Sequence, residues 1–387
     1  MEFYGYRRAN GRVGVRNHVL LLPIVGCASE LCRNIASHVY GSVYFVNQNG
    51  CGETNKNLSK TRKILCGLAK NPNVYGVICV GLGCEINTLF DMLQLLSDAG
   101  KRVEGLSIQE CGGFANTLAK GMRLAQEMVS AASELQREPC PIAELQLGLE
   151  CGGSDATSGL VANPVLGYVS DRIVSEGGTV IFSETSEMIG AEDILAGRAA
   201  TPELAQRIRD LIWQREKDMI DMGEDIRLSQ PSPGNKKGGI TTIEEKSLGC
   251  IYKGGTTPIR EFIDYACRPV ERGLVLMDTP AYDLCSVTAK IAGGCQMVVF
   301  TTGRGNVMGS PVAPVIKMTG NCSIVRGMQD AIDFDCSSVL NTGESIEEAG
   351  ERLLKQVILT AGGKLTKAEI YGLGASETVI SRVCDYL

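Results

Sequence analysis

The sequence predicts an α/β protein built from two Rossmann-like parallel-sheet domains, with its active site between them. Short apolar, β-branched runs alternate with stretches of helical periodicity, which is typical of a doubly wound sheet. A chain of 387 residues with 44% hydrophobic residues can bury two cores. Glycine-flanked polar residues follow several of the runs, where parallel sheets bind their ligands.

The first domain is expected to span residues 1–140. Its candidate strands are 19–25, 43–46, 75–80 and 103–108, with helical stretches between them. The segment 114–135 predicts an amphipathic helix, because five apolar residues recur with a 3.6-residue period: Leu118, Met122, Ala125, Val129 and Ala132.

The second domain is expected to span residues 141–387. Its candidate strands are 145–149, 179–183, 273–277, 297–301 and 338–341. Thr201 followed by Pro202 predicts the start of a helix that reaches residue 222. Ser345 and Glu348 predict a capping box that begins a helix through residue 360. The segment 228–242 is rich in Pro, Gly and Ser and is predicted to be a long loop.

Charge and cysteine content exclude several classes of protein. A formal net charge of -6 without a basic tail argues against binding to nucleic acid or to an anionic membrane. The N-terminus has no signal-like apolar region, and the apolar runs are too short to span a bilayer, so we expect a cytoplasmic protein. The 16 cysteines of so long a chain are therefore expected to be reduced thiols.

Four glycine-flanked cysteines follow apolar runs: Cys27, Cys51, Cys84 and Cys151. If those runs are parallel strands, their carboxyl ends bring the thiols toward one edge, where they could hold a metal ion or an iron–sulfur cluster. The absence of any CxxC spacing argues against a zinc ribbon or a ferredoxin-type motif. The alternative is that these cysteines are small residues packed at tight turns.

Three polar loops offer groups that bind anions. They contain Arg16 with Asn17, Asn235 with Lys236, and Arg304. Arginine grips carboxylates with two hydrogen bonds, and lysine offers a point charge, so the loops indicate an anionic small-molecule substrate unless they are solvated surface charges. No loop matches a nucleotide-binding fingerprint. His18 and His38 are interpreted as packing residues rather than catalysts.

Taken in order, several strings resemble the altronate/galactarate dehydratase family, in the form whose catalytic part is a separate large subunit. The family also contains the sulfolactate sulfo-lyase large subunit. The matching strings include Gly11-Arg12-Val13-Gly14-Val15-Arg16-Asn17, Gly50-Cys51-Gly52, Gly81-Leu82-Gly83-Cys84-Glu85, Cys151-Gly152-Gly153-Ser154-Asp155, Pro231-Ser232-Pro233-Gly234-Asn235-Lys236 and Thr301-Thr302-Gly303-Arg304-Gly305. One departure is Asn47-Gln48-Asn49, where family members often have a histidine.

The resemblance implies an iron-dependent hydro-lyase that removes water from a sugar acid such as altronate to give a 2-keto acid. It also implies a separate small β-rich subunit, and hence a homo- or hetero-oligomer. One alternative is a carbon–sulfur lyase that releases sulfite from sulfolactate. Another is a non-catalytic subunit that binds an anion.

On this reading, each candidate residue has a role in the site. Iron, as Fe2+ or as a [4Fe–4S] cluster, is expected on Cys51, Cys84 and Cys151, with Cys27 in reserve. Carboxylate and hydroxyl groups of the substrate are expected to meet Arg16, Asn17, Asn235 and Arg304. The catalytic base is expected among three lysines, Lys236, Lys246 and Lys317.

Overall fold

The computed structural model describes residues 1–380, so residues 381–387 of the expected second domain lie outside the described part. Residues 1–380 form fourteen strands in three sheets. They are β1 Glu2–Arg7, β2 Val13–Gly14, β3 His18–Pro23, β4 Ser42–Tyr44, β5 Val74–Gly81, β6 Val103–Ser107, β7 Glu138–Pro141, β8 Gln146–Cys151, β9 Thr179–Phe182, β10 Ile259–Ile263, β11 Gly273–Met277, β12 Met297–Thr301, β13 Val315–Thr319 and β14 Phe334–Asp335.

The strands are connected by α-helices of widely different length. They are α1 Ser29–His38, α2 Asn55–Ala69, α3 Leu89–Leu95, α4 Phe114–Ser133, α5 Asn163–Ser175, α6 Glu192–Gly197, α7 Pro202–Asp221, α8 Ile226–Ser229, α9 Pro233–Lys237, α10 Ile243–Ile251, α11 Asp283–Ala292, α12 Cys322–Gly327, α13 Ser338–Asn341, α14 Ile346–Ala361 and α15 Lys367–Ile370. Within residues 1–380, no helix is long and apolar enough to cross a membrane.

Two of the sheets are parallel throughout. The first has the strand order β4-β3-β5-β6, and the second has the order β10-β11-β9-β8-β12-β13-β14. The predicted α/β class with parallel sheets is therefore confirmed. The predicted strands at 273–277 and 297–301 coincide with β11 and β12.

Local capping explains where the predicted helices begin. The Thr201 hydroxyl accepts a hydrogen bond from the Leu204 N–H at 3.2 Å, and Pro202 opens α7. Ser345 and Glu348 form the predicted capping box of α14. These two helix starts are confirmed, because a cap is a local interaction that the sequence states directly.

Two predicted segments are wrong. Residues 338–341 form helix α13 rather than a strand, because the Ser337 carbonyl accepts the N–H groups of Leu340 and Asn341 in a helical turn. The segment 228–242 is not a continuous loop, since α8 ends within it and α9 lies inside it. There, Ser232 caps α9 and Pro233 occupies its first turn, so residues typical of a loop are in fact a helix start.

A small antiparallel sheet, in the order β2-β1-β7, was not predicted. In it, Phe3 on β1 pairs with Cys140 on β7. Phe3 and Val13 are buried in the same core as Leu149 of the seven-stranded sheet. Residues at the N-terminus, expected in the first domain, therefore pack on the core of the C-terminal part.

The two parallel sheets also share a core. Leu22 on β3 and Val77 on β5 belong to the same buried cluster as Val275 on β11 and Val298 on β12. Helix α2 approaches α11 closely at Gly67, where a Cβ would lie 2.5 Å from the Ala292 carbonyl oxygen. Glycine is required at this crossing because any side chain would separate the helices.

Candidate active site

A cavity of about 380 Å³ lies where the central strands β8, β9 and β11 of the larger sheet end. Its volume is in the range of small-molecule sites, and the carboxyl ends of parallel strands are where such sites form. The lining comes entirely from residues 152–283. Its polar members include Ser154, Ser186, Glu187, Glu224, Gln230, Asn235, Lys246 and Asp283.

Glu184 is the central carboxylate behind this cavity. It lies two residues after the end of β9, is fully buried, and has a left-handed backbone with φ 73° and ψ 54°. Only one other non-glycine residue of the described chain has a positive φ. Side chains other than glycine rarely adopt this conformation, and such strain is concentrated at functional sites. The backbone conformation therefore marks Glu184 as a functional residue.

A buried lysine contacts Glu184 and two cysteines. The Lys253 ammonium lies 2.6 Å from Glu184 Oε2, 3.1 Å from Cys151 Sγ and 2.8 Å from Cys250 Sγ. Burial lowers the pKa of Lys253, but its electrostatic interactions with Cys151, Cys250 and Glu184 outweigh burial and hold the pKa well above its usual value. Lys253 is therefore a buried cation at neutral pH.

A second buried lysine holds Glu150, the residue before Cys151. The Lys290 ammonium pairs with Glu150 and donates to the Leu149 carbonyl at 2.7 Å and to Ser183 Oγ at 2.6 Å. Glu150 Oε1 is buried and has no hydrogen-bond partner among the described residues. A buried carboxylate oxygen without a partner is costly, so this atom is a candidate to contact a ligand.

Glu150, Glu184 and Asp283 bring one carboxylate oxygen each to within 4.8 Å of one another. Burial raises the pKa of Glu150 to about 7 and the pKa values of Glu184 and Asp283 to about 8. Asp283 can approach because Gly152 has no side chain: a Cβ there would lie 2.4 Å from Asp283 Oδ2. Three crowded oxygen donors of this kind suit a hard divalent cation.

A second set of potential ligands consists of Cys151, Glu184 and Cys250. The Lys253 ammonium contacts all three groups and places a positive charge beside them. Two carboxylates of the triad, Glu184 and Glu150, are likewise paired with Lys253 and Lys290, but Glu150 Oε1 has no partner among the described residues, so the triad is the better fit to a metal ion.

One ion pair lies on the cavity wall. Lys246 Nζ is 2.8 Å from Glu187 and 3.3 Å from Gln230 Oε1. Burial opposes both charges, but each partner favours the other: the pKa of Lys246 is raised and the pKa of Glu187 is lowered. At neutral pH the cavity therefore contains an ammonium beside a carboxylate.

Among the substrate-binding and base candidates, the structure brings only Asn235 and Lys246 to the cavity lining. Lys236 is exposed on α9, and Arg304 is exposed beside Gly153. Lys317 is buried in β13, where its ammonium donates to the Met308 carbonyl at 2.9 Å.

Arg16 and Asn17 lie elsewhere and serve the packing of the chain. Arg16 pairs with Glu369 at 2.6 Å, and Asn17 donates to the Ala132 carbonyl at 2.7 Å. Their roles toward a substrate stay predictions, as does that of Arg304.

The four predicted cysteine ligands fall into two groups. Cys27, Cys51 and Cys84 are exposed on loops after β3, β4 and β5. Backbone hydrogen bonds join these loops, from Gly26 N–H to the Asn49 carbonyl and from Asn87 N–H to the Gly50 carbonyl. Cys151 is buried at the end of β8, in the other sheet, beside Cys250. Their joint role as iron ligands stays a prediction.

Sequence reasoning missed most of the charged cluster, namely Glu150, Glu184, Lys253, Asp283 and Lys290. The two glutamates carried a usable signal, because Glu150 follows the predicted strand 145–149 and Glu184 follows the predicted strand 179–183. The two lysines carried none, since only their complete burial distinguishes them from surface lysines.

Comparison with known proteins identifies the family. Residues 142–385 match the family described as D-galactarate/altronate dehydratase, C-terminal, and residues 5–133 match D-galactarate dehydratase/altronate hydrolase, second domain. The beta subunit of (2R)-sulfolactate sulfo-lyase from Chromohalobacter salexigens is 40% identical over 99% of this chain and 98% of its own length.

Dehydratases of sugar acids are similar as well. Altronate dehydratase from Bacillus subtilis is 36% identical over 95% of this chain and 75% of its own length. Galactarate dehydratase from Escherichia coli is 34% identical over 94% of this chain and 73% of its own length. The chain therefore belongs to the D-galactarate/altronate dehydratase family, and it is a lyase.

Proposed function

We propose that this chain is the catalytic subunit of a hydro-lyase that removes water from a polyhydroxy monocarboxylate, such as altronate, and yields a 2-keto acid. The observation that carries the proposal is the cavity lining, which combines one ammonium, Lys246, with many hydroxyl and amide groups. Ser186 Oγ in this lining has no hydrogen-bond partner among the described residues, and a substrate hydroxyl would satisfy it.

The charge of the lining favours a substrate with a single carboxylate. Lys246 is the one lysine or arginine that the described residues contribute to the cavity, against the acidic side chains of Glu187 and Glu224 and a third, Asp283, whose raised pKa of about 8 keeps it largely protonated at neutral pH. A substrate with two negative groups would meet a surplus of negative charge. A sugar acid needs one cation and several hydrogen-bonding partners for its hydroxyls.

The ion pair supplies the proton transfers in this proposal. Glu187, ionised at neutral pH, accepts the proton from the carbon beside the substrate carboxylate. Lys246 stabilises the negative charge that develops on that carboxylate and donates a proton to the departing hydroxyl. Because its pKa is raised, Lys246 acts here as a cation and an acid rather than as the base expected from the sequence.

Iron fits the carboxylate triad as a single ferrous ion. Glu150, Glu184 and Asp283 would hold it, and the partnerless Glu150 Oε1 supports an ion at this position. A bound ferrous ion would act as a Lewis acid on a substrate oxygen. A [4Fe–4S] cluster needs three or four thiolates, whereas the described residues bring two, Cys151 and Cys250, to this place.

A second candidate, the carbon–sulfur lyase, is favoured by the 40% identity of this chain to the sulfo-lyase beta subunit. The sulfo-lyase beta subunit and this chain match over nearly their whole lengths, whereas the dehydratases are longer. In this candidate the leaving group is sulfite rather than water. The name of that relative also supports a further subunit for this chain, and we propose that this subunit is small and β-rich.

Two further proposals concern the domain that contains the site and the cellular compartment of the protein. The cavity uses residues 152–283 alone, which favours a site within the expected domain 141–387 over one between that domain and residues 1–140. The described cysteines are all free thiols, which suits the reducing cytoplasm.

The test is an anaerobic assay of the protein with ferrous iron, performed with and without a small subunit from the same organism. Altronate, galactarate and sulfolactate are each supplied, and 2-keto acid and sulfite are measured separately. The proposal predicts 2-keto acid from a sugar acid without sulfite. Sulfite from sulfolactate would instead establish the second candidate, and no turnover of any substrate would leave an anion-binding subunit.

Two lysine variants form a matched pair for the mechanism. Lys246→Gln should lower kcat by about 10² to 10⁴, the usual contribution of a general acid or base. Lys236→Gln, on the exposed helix α9, should change kcat little. Equal activity of the two variants would contradict the proposed role of Lys246.

A further inference from the structure

Two cysteines that the proposed mechanism does not use lie in contact beneath the cavity. Cys151 Sγ and Cys250 Sγ are 3.5 Å apart, although 99 positions separate them in the chain. Both side chains are almost completely buried. Cys151 Sγ is also 3.5 Å from Glu187 Oε2, and Glu187 lines the cavity, so one side chain separates the thiols from the cavity space.

From this geometry we propose that Cys151 and Cys250 are a peroxide-sensitive pair that forms a disulfide and thereby switches the enzyme off reversibly. Sulfur atoms in van der Waals contact need to move closer by about 1.5 Å to reach the S–S bond length of about 2.0 Å. The described chain has other free cysteines, but this pair alone combines that contact with a buried ammonium, Lys253, on both sulfurs.

Lys253 favours this role over a metal site. Its ammonium lies 2.8 Å from Cys250 Sγ and 3.1 Å from Cys151 Sγ, and a cation bound between the sulfurs would be repelled by it. Of the two side chains, Cys250 is the more exposed, at 3% against 1% for Cys151, so we assign the first attack on peroxide to Cys250.

Hydrogen peroxide is the oxidant in this reaction. The Cys250 sulfur attacks one peroxide oxygen, the O–O bond breaks, and the other oxygen leaves as water with the thiol proton. The sulfenic acid on Cys250 is then attacked by the Cys151 sulfur, the S–O bond breaks, and a second water leaves with the Cys151 proton. Two thiols are oxidised by two electrons, and one peroxide is reduced to two waters.

The position of the two residues explains why the disulfide would stop turnover. Cys250 lies on α10 one turn after Lys246, on the same face of the helix. Cys151 ends β8 and precedes Gly152, which contacts Asp283. Shortening the distance between the sulfurs therefore displaces Lys246 relative to Asp283. The inhibition rests on the proposed function, whereas the disulfide itself does not.

The experiment treats the full-length protein with hydrogen peroxide, blocks remaining thiols and searches the digest for a peptide pair joined through Cys151 and Cys250. The expected result is a joined pair lacking two hydrogens, which dithiothreitol separates. Failure to form it when the exposed Cys51 is oxidised would overturn the proposal. So would a thiophilic metal ion that is released when the two thiols are blocked.

Activity is measured on the same samples, each relative to its own untreated protein. Inhibition should rise with the fraction of joined peptide and disappear with dithiothreitol. Cys250→Ser should abolish both the joined peptide and the reversible inhibition, whereas Cys66→Ser, on α2, should keep both. A joined peptide with full activity would overturn the switch. If no substrate is turned over, the peptide analysis still tests the disulfide.

Discussion

Replacement of Gly152 by alanine tests whether the approach of Asp283 to the strand end determines activity. A Cβ at this position would lie 2.4 Å from Asp283 Oδ2 and 2.6 Å from the Phe300 ring. The carboxylate must retreat by about 1 Å to reach an ordinary contact, and a displacement of that size in a catalytic site costs about 100-fold in rate. Overpacking against Phe300 should cost about 1–3 kcal/mol of stability.

The measurements are kcat and KM for the substrate found above, and urea unfolding followed by circular dichroism. Gly234→Ala is the matched control, because its Cβ would meet nothing closer than 3.8 Å and the glycine lies on α9 at the cavity rim. We expect Gly152→Ala to lose about 100-fold in kcat while the control stays close to the parent protein. Retention of kcat within about threefold by Gly152→Ala would refute the argument that the carboxylate position matters.

Three further predictions concern buried charges. The variant Lys253→Met leaves Glu184 and two sulfurs without their cation, so it should lower the free energy of unfolding, measured by urea titration, by about 3 kcal/mol. A loss below about 1 kcal/mol would contradict the structural role of Lys253. Ferrous iron should raise the Tm of the parent protein but not of Glu150→Gln, and an equal shift in both would exclude Glu150 as a ligand. Burial lowers the pKa of His18 to about 4. The contribution of His18 to stability is therefore complete above the unfolded pKa of about 6.5 and is lost as the pH falls toward 4. The urea midpoints at pH 7.5 and pH 5 should differ less in His18→Gln than in the parent protein.

Much of the architecture follows from local sequence patterns. Apolar runs such as 273–277 predict strands because a strand buried on both faces needs an uninterrupted apolar segment, and Thr201 with Pro202 predicts a helix start because capping is local. The same local reasoning was wrong for 228–242, where Ser232 and Pro233 are typical of both loops and helix starts. It also missed β1 and β7, whose pairing joins residues more than 130 positions apart.

The sequence by itself therefore determined the α/β class, most of the central strands, the family and two residues that line the cavity, Asn235 and Lys246. The tertiary structure decided which charges meet. Glu150, Glu184 and Asp283 lie in three distant segments. They converge because β8 and β9 end, and α11 begins, at one edge of a parallel sheet. Burial then changes their pKa values and pairs Lys253 with two thiols. Desolvation and proximity are properties of the folded chain, so no local pattern of residues could have stated them.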